Sequence, residues 1–316
     1  MKNFLSVNDV TDVEELLKVA IQLKAKPYEE TTLGKNKTIG LIFMNPSTRT
    51  RLSTQKAAMN LGMNVMIMNL DKEGWALETQ EGIIMNSNTV EHIKDAAAVM
   101  GKYCDIIGIR SFPKLIDKSE DYSEDFFQKF VKYAKVPIVS LESATLHPLQ
   151  SFADLITIEE HKKKNRPKVV LTWAPHIKPL PQAVANSFAE WMVKGNVDLV
   201  VTHPKGYELD KKFTGNAPII FDQADALQNA DFVYVKNWSS YTDYGQVLSL
   251  DGNWMLTNDK LKNTNNAKVM HCLPVRRNIE LSDEILDGPN SLVVEQAENR
   301  VYSCQAVLRD ILLNNF

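Results

Sequence analysis

Apolar runs of strand length alternate with segments of helical period along the whole chain. The runs at 38–43, 64–68, 105–109 and 137–141 in the first half, and at 168–174, 197–202, 231–235 and 267–271 in the second, predict strands. The first helix starts at the capping-box spacing of Thr11 to Glu14 and puts Val13, Leu16, Leu17, Ala20 and Ile21 on one face. A second begins after Thr50, with Leu52 and Met59 at helical spacing and Gly62 as its stop. Further helices are predicted at 90–100, 124–134, 151–160, 182–193 (closed by Gly195) and 223–229. The last, 299–313, sets Val301, Cys304, Leu308, Ile311 and Leu312 on one face. Strands and helices alternating at these lengths predict an α/β protein of two doubly wound parallel-sheet domains in series. The polar, lysine-rich stretch 161–167 precedes the second series. The expected domains are therefore 1–150 and 151–298, with the terminal helix 299–316 packing back on the first. No close internal repeat is present, so the halves share a plan without sharing residues.

The residues at the strand ends narrow the chemistry. After 38–43 comes the polar turn Asn45-Pro46-Ser47-Thr48-Arg49-Thr50-Arg51, and the strands ending near 109 and 141 run into Arg110 and Glu142. In the second half the corresponding places hold His176, Lys236 and Cys272. Taken singly these are ordinary: an arginine or lysine at a strand end is usually a surface charge, and a free cysteine is usually a small buried hydrophobe. Together they lie at carboxyl ends, where open parallel sheets bind ligands, so a cleft between two such edges is the expected site.

The turn at 45–51 is the most specific signal. Its hydroxyls and guanidinia fall at a helix N-terminus, where unpaired backbone N–H groups and the positive end of the helix dipole favour an anion. An ordinary helix cap by Ser47 or Thr48 is the plainer alternative, but three hydroxyls and two guanidinia within five residues exceed what a cap needs. Neither the phosphate-binding P-loop pattern nor a dinucleotide-binding glycine fingerprint occurs in the chain.

Composition removes other classes. With 316 residues, 24% charged and a formal charge of −3, the chain has no basic footprint for nucleic acid. Its three cysteines have no C-x-x-C spacing, which argues against a disulfide framework and a structural zinc site; no metal is expected. No apolar run approaches the roughly 20 residues of a membrane span and no secretory pattern opens the chain, so a cytoplasmic location is expected. Trp75, in the glycine-bearing loop after 64–68, is open to a packing or a functional reading.

Four motifs in this order resemble the aspartate/ornithine carbamoyltransferase family: Phe43-Met-Asn-Pro-Ser-Thr-Arg-Thr-Arg51, His147-Pro-Leu-Gln150 with Asp154, His271-Cys-Leu-Pro274, and Glu298-Asn-Arg300. The resemblance implies that Ser47, Thr48, Arg49 and Thr50 hold the phosphate of carbamoyl phosphate, with Arg300 as a further cation. Thr50, Arg110 and His147 would hydrogen-bond the carbamoyl oxygen, where negative charge grows as an amine attacks. Gln150 would hold the carbamoyl NH₂, and Cys272 and the Leu273 carbonyl would contact the carbamoyl group or the amine. No covalent cysteine intermediate and no cofactor are implied. The family's trimers pass a loop into the neighbouring site, and Trp75 occupies the matching loop, so a homotrimer is expected.

Asn45, in the place of a lysine common in ornithine enzymes, and Trp173-Ala-Pro-His176-Ile-Lys-Pro-Leu180 are similar to the branch that carbamoylates N-acylated ornithine in arginine synthesis. Where ornithine enzymes grip a free α-amine, this chain reads Val235-Lys236-Asn237-Trp238, and a lysine would repel an ammonium. Lys236, His176 and Arg276 are expected to form an anion-favouring pocket, with Glu142 receiving the N-acyl amide N–H. Val90 stands where acetyl-type enzymes carry a glutamate; an uncharged residue there favours N-succinyl-L-ornithine as acceptor, with N-acetyl-L-ornithine as the alternative. A plain ornithine acceptor, or a non-catalytic sensor of a phosphorylated metabolite, fits the residues less well.

Overall fold

A computed structural model describes all residues, Met1–Phe316. The strands in chain order are β1 (Thr38–Phe43), β2 (Asn64–Asn69), β3 (Leu77–Glu78), β4 (Glu91–His92), β5 (Ile106–Arg110), β6 (Ile138–Glu142), β7 (Lys168–Trp173), β8 (Asp198–Thr202), β9 (Ile219–Ile220), β10 (Phe232–Lys236) and β11 (Lys268–Met270). The helices are α1 (Val13–Ala25), α2 (Arg49–Asn60), α3 (Leu70–Glu73), α4 (Ile93–Tyr103), α5 (Lys118–Ser123), α6 (Asp125–Tyr133), α7 (Pro148–His161), α8 (Ala183–Lys194), α9 (Lys211–Thr214), α10 (Gln223–Leu227), α11 (Asn258–Leu261), α12 (Asp283–Leu286) and α13 (Val293–Asn315). No helix is long and apolar enough to cross a membrane.

The chain divides into two compact units, one of Met1–Lys114, Ser119–Leu149 and Arg300–Phe316, the other of Leu115–Lys118 and Gln150–Asn299. In the first, a parallel sheet runs β2-β1-β5-β6. Its inner strands are continuous apolar runs because helices cover both faces: Ile39, Leu41, Phe43, Ile107 and Ile109 are fully buried. Ile42, Ile107 and Ile109 pack with Ile93, Ala97, Phe127 and Phe130 of α4 and α6. In the second, a parallel sheet runs β11-β10-β7-β8-β9, with Val170, Val233, Val235 and Val269 at the centre of one core cluster.

Three expectations are corrected. Helix α13 begins at Val293, not at 299, so Arg300 lies well inside it. Its early turns bury Gln296 and Asn299, polar side chains that hydrogen-bond inside the protein and so break the apolar periodicity read from the sequence. Leu52 and Met59 of α2 are exposed, while the helix buries Thr50, Ser53, Thr54, Ala57, Ala58 and Asn60. Small and hydrogen-bonding residues form the inner face, as in Asn60 Nδ2 donating to Gln305 at 2.9 Å. Residues 90–92 are extended rather than helical: the Val90 N–H donates to the Ala76 carbonyl, β4 pairs with β3, and the His92 ring caps α4.

Candidate active site

The turn at 44–48 leaves the carboxyl end of β1, the second strand of its sheet, and feeds α2. Thr48 is the N-cap of α2, yet its side chain makes no capping hydrogen bond. Ser47 and Thr48 face an open hollow of about 400 Å³ whose lining includes Arg51, Asn69 and Lys72. The two guanidinia of the turn do different things. Arg51 is tied to the Asn69 side chain and stacked on the Phe43 ring at 4.9 Å, a structural role. Arg49 instead acts on the charge state of His147.

Arg110, the last residue of β5, is buried and held on four sides. Its Nε donates to Glu142 Oε2 at 3.2 Å and its Nη1 to the Asn45 and Pro46 carbonyls at 3.1 and 2.8 Å, while the plane lies 3.9 Å from the Phe112 ring centre. Asn45 also accepts from the Phe112 N–H at 2.7 Å, which fixes the 44–48 turn to the end of β5. Glu142, expected to receive an acceptor amide, is thus already an ion-pair partner of Arg110, and its Oε2 lies 3.6 Å from His147 Nε2. Arg300 Nη2 donates to Thr50 Oγ1 at 2.8 Å, which brings α13 to the first turn of α2.

His147 is buried, and its Nδ1 has no hydrogen-bond partner. Burial first, then the charges of Arg300, Arg110 and Arg49, push its pKa well below the ordinary 6.5. The imidazole is therefore neutral at neutral pH, with one N–H to give. The three guanidinia that act on it come from α2, β5 and α13. One unit thus gathers the Ser47–Thr50 turn, Arg49, Arg110, His147 and Arg300: cations for an anion, and neutral and charged donors for an oxygen beside it.

Trp75 is 61% exposed and donates from Nε1 to Glu91 Oε2 at 2.8 Å; Val90 is 64% exposed on the facing strand end. The Trp75 indole N–H is thus engaged within its own loop, and both residues belong to a projecting segment that also exposes Ile83, Ile84 and Met85.

The second unit has its own buried polar chain. Gln150 Nε2 donates to Asp154 Oδ1 at 2.8 Å, and Gln296 Nε2 donates to the same oxygen at 2.7 Å. Asp154 thereby fixes the Gln150 amide with its NH₂ inward, leaving its oxygen as the end that can accept. Gln296 in turn accepts the His271 N–H at 2.9 Å. His271 Nδ1 accepts the Leu273 N–H at 2.9 Å, so its proton is on Nε2, 3.3 Å from Glu280 Oε1. Leu273 has φ 57, a left-handed conformation that a leucine adopts only under local constraint. Cys272 is half-buried beside Tyr234, whose phenol is pushed far above its ordinary value by burial and by Asp154 and Cys272.

The expected anion-favouring pocket needs correction. Arg276 Nε donates to His176 Nε2 at 3.0 Å, so that nitrogen carries no proton and His176 steadies a cation rather than adding one. Among these groups sits Glu280, 1% exposed, which sequence reasoning missed because nothing in its local pattern marks a buried acid. Burial opposes its charge, but the His271 hydrogen bond, the Lys236 ammonium and the Arg276 N–H at 2.8 Å hold its pKa down to about 2. Lys236, buried at the end of β10, therefore faces a carboxylate already; the exposed Arg276 is the less compensated cation.

A profile of the aspartate/ornithine carbamoyltransferase carbamoyl-phosphate-binding domain matches residues 2–160, and one of the family's aspartate/ornithine-binding domain matches residues 181–311. The chain belongs to the aspartate/ornithine carbamoyltransferase family. It is 51% identical to the N-succinylornithine carbamoyltransferase of Bacteroides fragilis, over 99% of each chain, and 33% identical to the N-acetylornithine carbamoyltransferase of Xanthomonas axonopodis pv. citri, over 98% of this chain and 96% of that one. Among solved structures it matches an N-acetyl-L-ornithine transcarbamylase mutant with valine in place of a glutamate, complexed with carbamyl phosphate and N-succinyl-L-norvaline. That match has a TM-score of 0.92 and 32% identity, covering 98% of this chain and 100% of that one.

Proposed function

We propose that this chain transfers the carbamoyl group of carbamoyl phosphate to the δ-amine of N-succinyl-L-ornithine, giving N-succinyl-L-citrulline and phosphate, as a step of arginine synthesis. The observation that carries the transfer is the neutral, buried His147 set among Arg49, Arg110 and Arg300 beside the Ser47–Thr50 turn. A phosphate sensor needs the cations and the turn, but has no use for a neutral imidazole donor or for a glutamine amide fixed by Asp154.

In the reaction the phosphate lies on the N–H groups and hydroxyls of Ser47, Thr48 and Thr50, with Arg49 and Arg300 balancing its charge. The carbamoyl oxygen accepts from Thr50, Arg110 and His147, and the carbamoyl NH₂ donates to Gln150. The uncharged δ-amine attacks the carbamoyl carbon; the new C–N bond forms as charge moves to the oxygen, and fixed donors stabilise it. The C–O bond to phosphate then breaks, the electron pair leaves with phosphate, and the amine's proton passes to a phosphate oxygen. Cys272 and the Leu273 carbonyl contact the carbamoyl group and the amine, with no bond to sulfur.

On the acceptor, Lys236 and Arg276, the latter steadied by His176, take the carboxylates and Glu142 the amide. Val90 supports succinyl over acetyl, because a carboxylate in its place would repel a second carboxylate. The relative with glutamate exchanged for valine, solved with a succinylated ligand, and the higher identity to succinyl-type than to acetyl-type relatives support the same choice. The exposed Trp75 is read as completing a neighbour's site in a homotrimer, in the cytoplasm. Measuring citrulline-type product and phosphate with ornithine, N-acetylornithine and N-succinylornithine tests the proposal; binding of carbamoyl phosphate with no turnover on any of the three would replace it by the sensor.

A further inference from the structure

We infer that Glu124 is a positioning residue for His147, an inference that rests on the carbamoyl-transfer reading for its kinetic consequence. The chain leaves β6 at Glu142, makes the tight turn Ser143–Leu146 and reaches His147 just before α7. Both ends of that turn carry site groups, Glu142 paired with Arg110 and His147 beside it. The turn is closed internally by the Ser143 N–H on the Leu146 carbonyl at 2.8 Å and the Leu146 N–H on Ser143 Oγ at 3.1 Å. Its outside is held by one carboxylate oxygen: Glu124 Oε1 accepts from Ser143 Oγ at 2.5 Å, from the Thr145 N–H at 2.9 Å and from Thr145 Oγ1 at 2.7 Å.

Glu124 is itself firmly mounted. It is the N-cap of α6, its carbonyl accepts the Gln128 N–H at 2.9 Å, and Phe127 and Phe130 bury that helix in the first unit's core. Its own backbone is left-handed, φ 49, which for a glutamate costs about 1 kcal/mol or more and marks a conformation imposed by its surroundings. It makes no contact with reacting groups. Without the carboxylate, the half-turn that sets the direction of the His147 ring keeps only its internal bonds, and a donor displaced by about 1 Å costs up to a hundredfold in rate.

Three substitutions separate the possibilities. Glu124→Ala removes the acceptor, Glu124→Gly removes it and also relieves the backbone, and Glu124→Gln keeps an acceptor oxygen of the same reach. Ala and Gly should each lower kcat by about tenfold or more with the KM for carbamoyl phosphate changed less than about threefold, while Gln retains at least about a third of wild-type kcat. Thermal midpoints do not follow this order, because Gly regains backbone stability without regaining rate. Independently of turnover, the His147 ring signals in nitrogen-15 spectra of histidine-labelled enzyme, assigned with His147→Asn, should move in Ala and Gly and stay in place in Gln. Wild-type kcat in Ala, equal losses in Ala and Gln, or an unmoved His147 signal in Ala would overturn the inference; absence of turnover in the wild type alongside a moved signal would overturn the carbamoyl-transfer reading instead.

Discussion

Replacing Glu280 by glutamine isolates the energetics of the second unit's buried polar chain. The carboxylate is 1% exposed and its pKa is held at about 2 against the ordinary 4.5. At about 1.4 kcal/mol per pH unit, that difference makes the ionised, hydrogen-bonded carboxylate worth roughly 3 kcal/mol to the folded state at neutral pH. The sign follows from the direction: a depressed folded pKa gives stability that is complete above pH 4.5 and is lost as pH falls toward 2. Glutamine keeps the shape and one acceptor but has no charge to lose. Urea unfolding followed by far-ultraviolet circular dichroism should therefore place Glu280→Gln about 3 kcal/mol below wild type at pH 7, and only about 1.4 kcal/mol below it at pH 3. A gap under about 1 kcal/mol at pH 7, or one that stays the same at pH 3, would refute the argument that the charge, rather than the packing, is what Lys236, His271 and Arg276 hold.

If Arg110 donates to the carbamoyl oxygen as proposed, Arg110→Met removes that fixed donor and also strips Glu142 of its ion-pair partner, so steady-state kinetics should give a kcat lower by about 10² to 10³. Val90→Glu should lose N-succinylornithine turnover and gain N-acetylornithine turnover, measured as the ratio of kcat/KM for the two acceptors; an unchanged ratio removes Val90 from the specificity argument while leaving carbamoyl transfer in place. If Trp75 completes a neighbouring subunit's site, mixtures of Trp75→Ala and Arg110→Met subunits should regain activity that neither has alone, and no regain in verified mixed oligomers places the whole site in one chain.

The parallel sheets were legible because β1, β5, β6 and β10 are buried on both faces and read as largely apolar runs, with Arg110, Glu142 and Lys236 at the carboxyl ends of β5, β6 and β10. Hydrophobic periodicity was a poorer guide where the inner face is polar. The inner face of α2 carries Thr50, Ser53, Thr54 and Asn60, so Leu52 and Met59 pointed to the wrong side. The early turns of α13 were hidden in the same way by Gln296 and Asn299. Motif reading found the residues at strand ends, yet it passed over Asp154's fixing of the Gln150 amide, Glu280 between Lys236 and Arg276, and the splitting of roles between Arg49 and Arg51. Those are properties of partners brought from distant parts of the chain, and no local spacing encodes them.

The unused hydroxyl at the start of α2 has a thermodynamic consequence. A helix whose N-cap side chain is idle forgoes about 1 kcal/mol that an ordinary serine or threonine cap would contribute. The first turn is thus built below its attainable stability, and the donors a cap would have consumed stay available for an anion. If phosphate docks at this turn as proposed, binding and local order are one linked equilibrium, in which the phosphate group supplies the missing cap and tightens the segment Arg49–Leu52. Saturating inorganic phosphate alone should then slow amide hydrogen exchange in that first turn more than anywhere else in the unit, which makes the helix start an affinity reserve held in the resting enzyme.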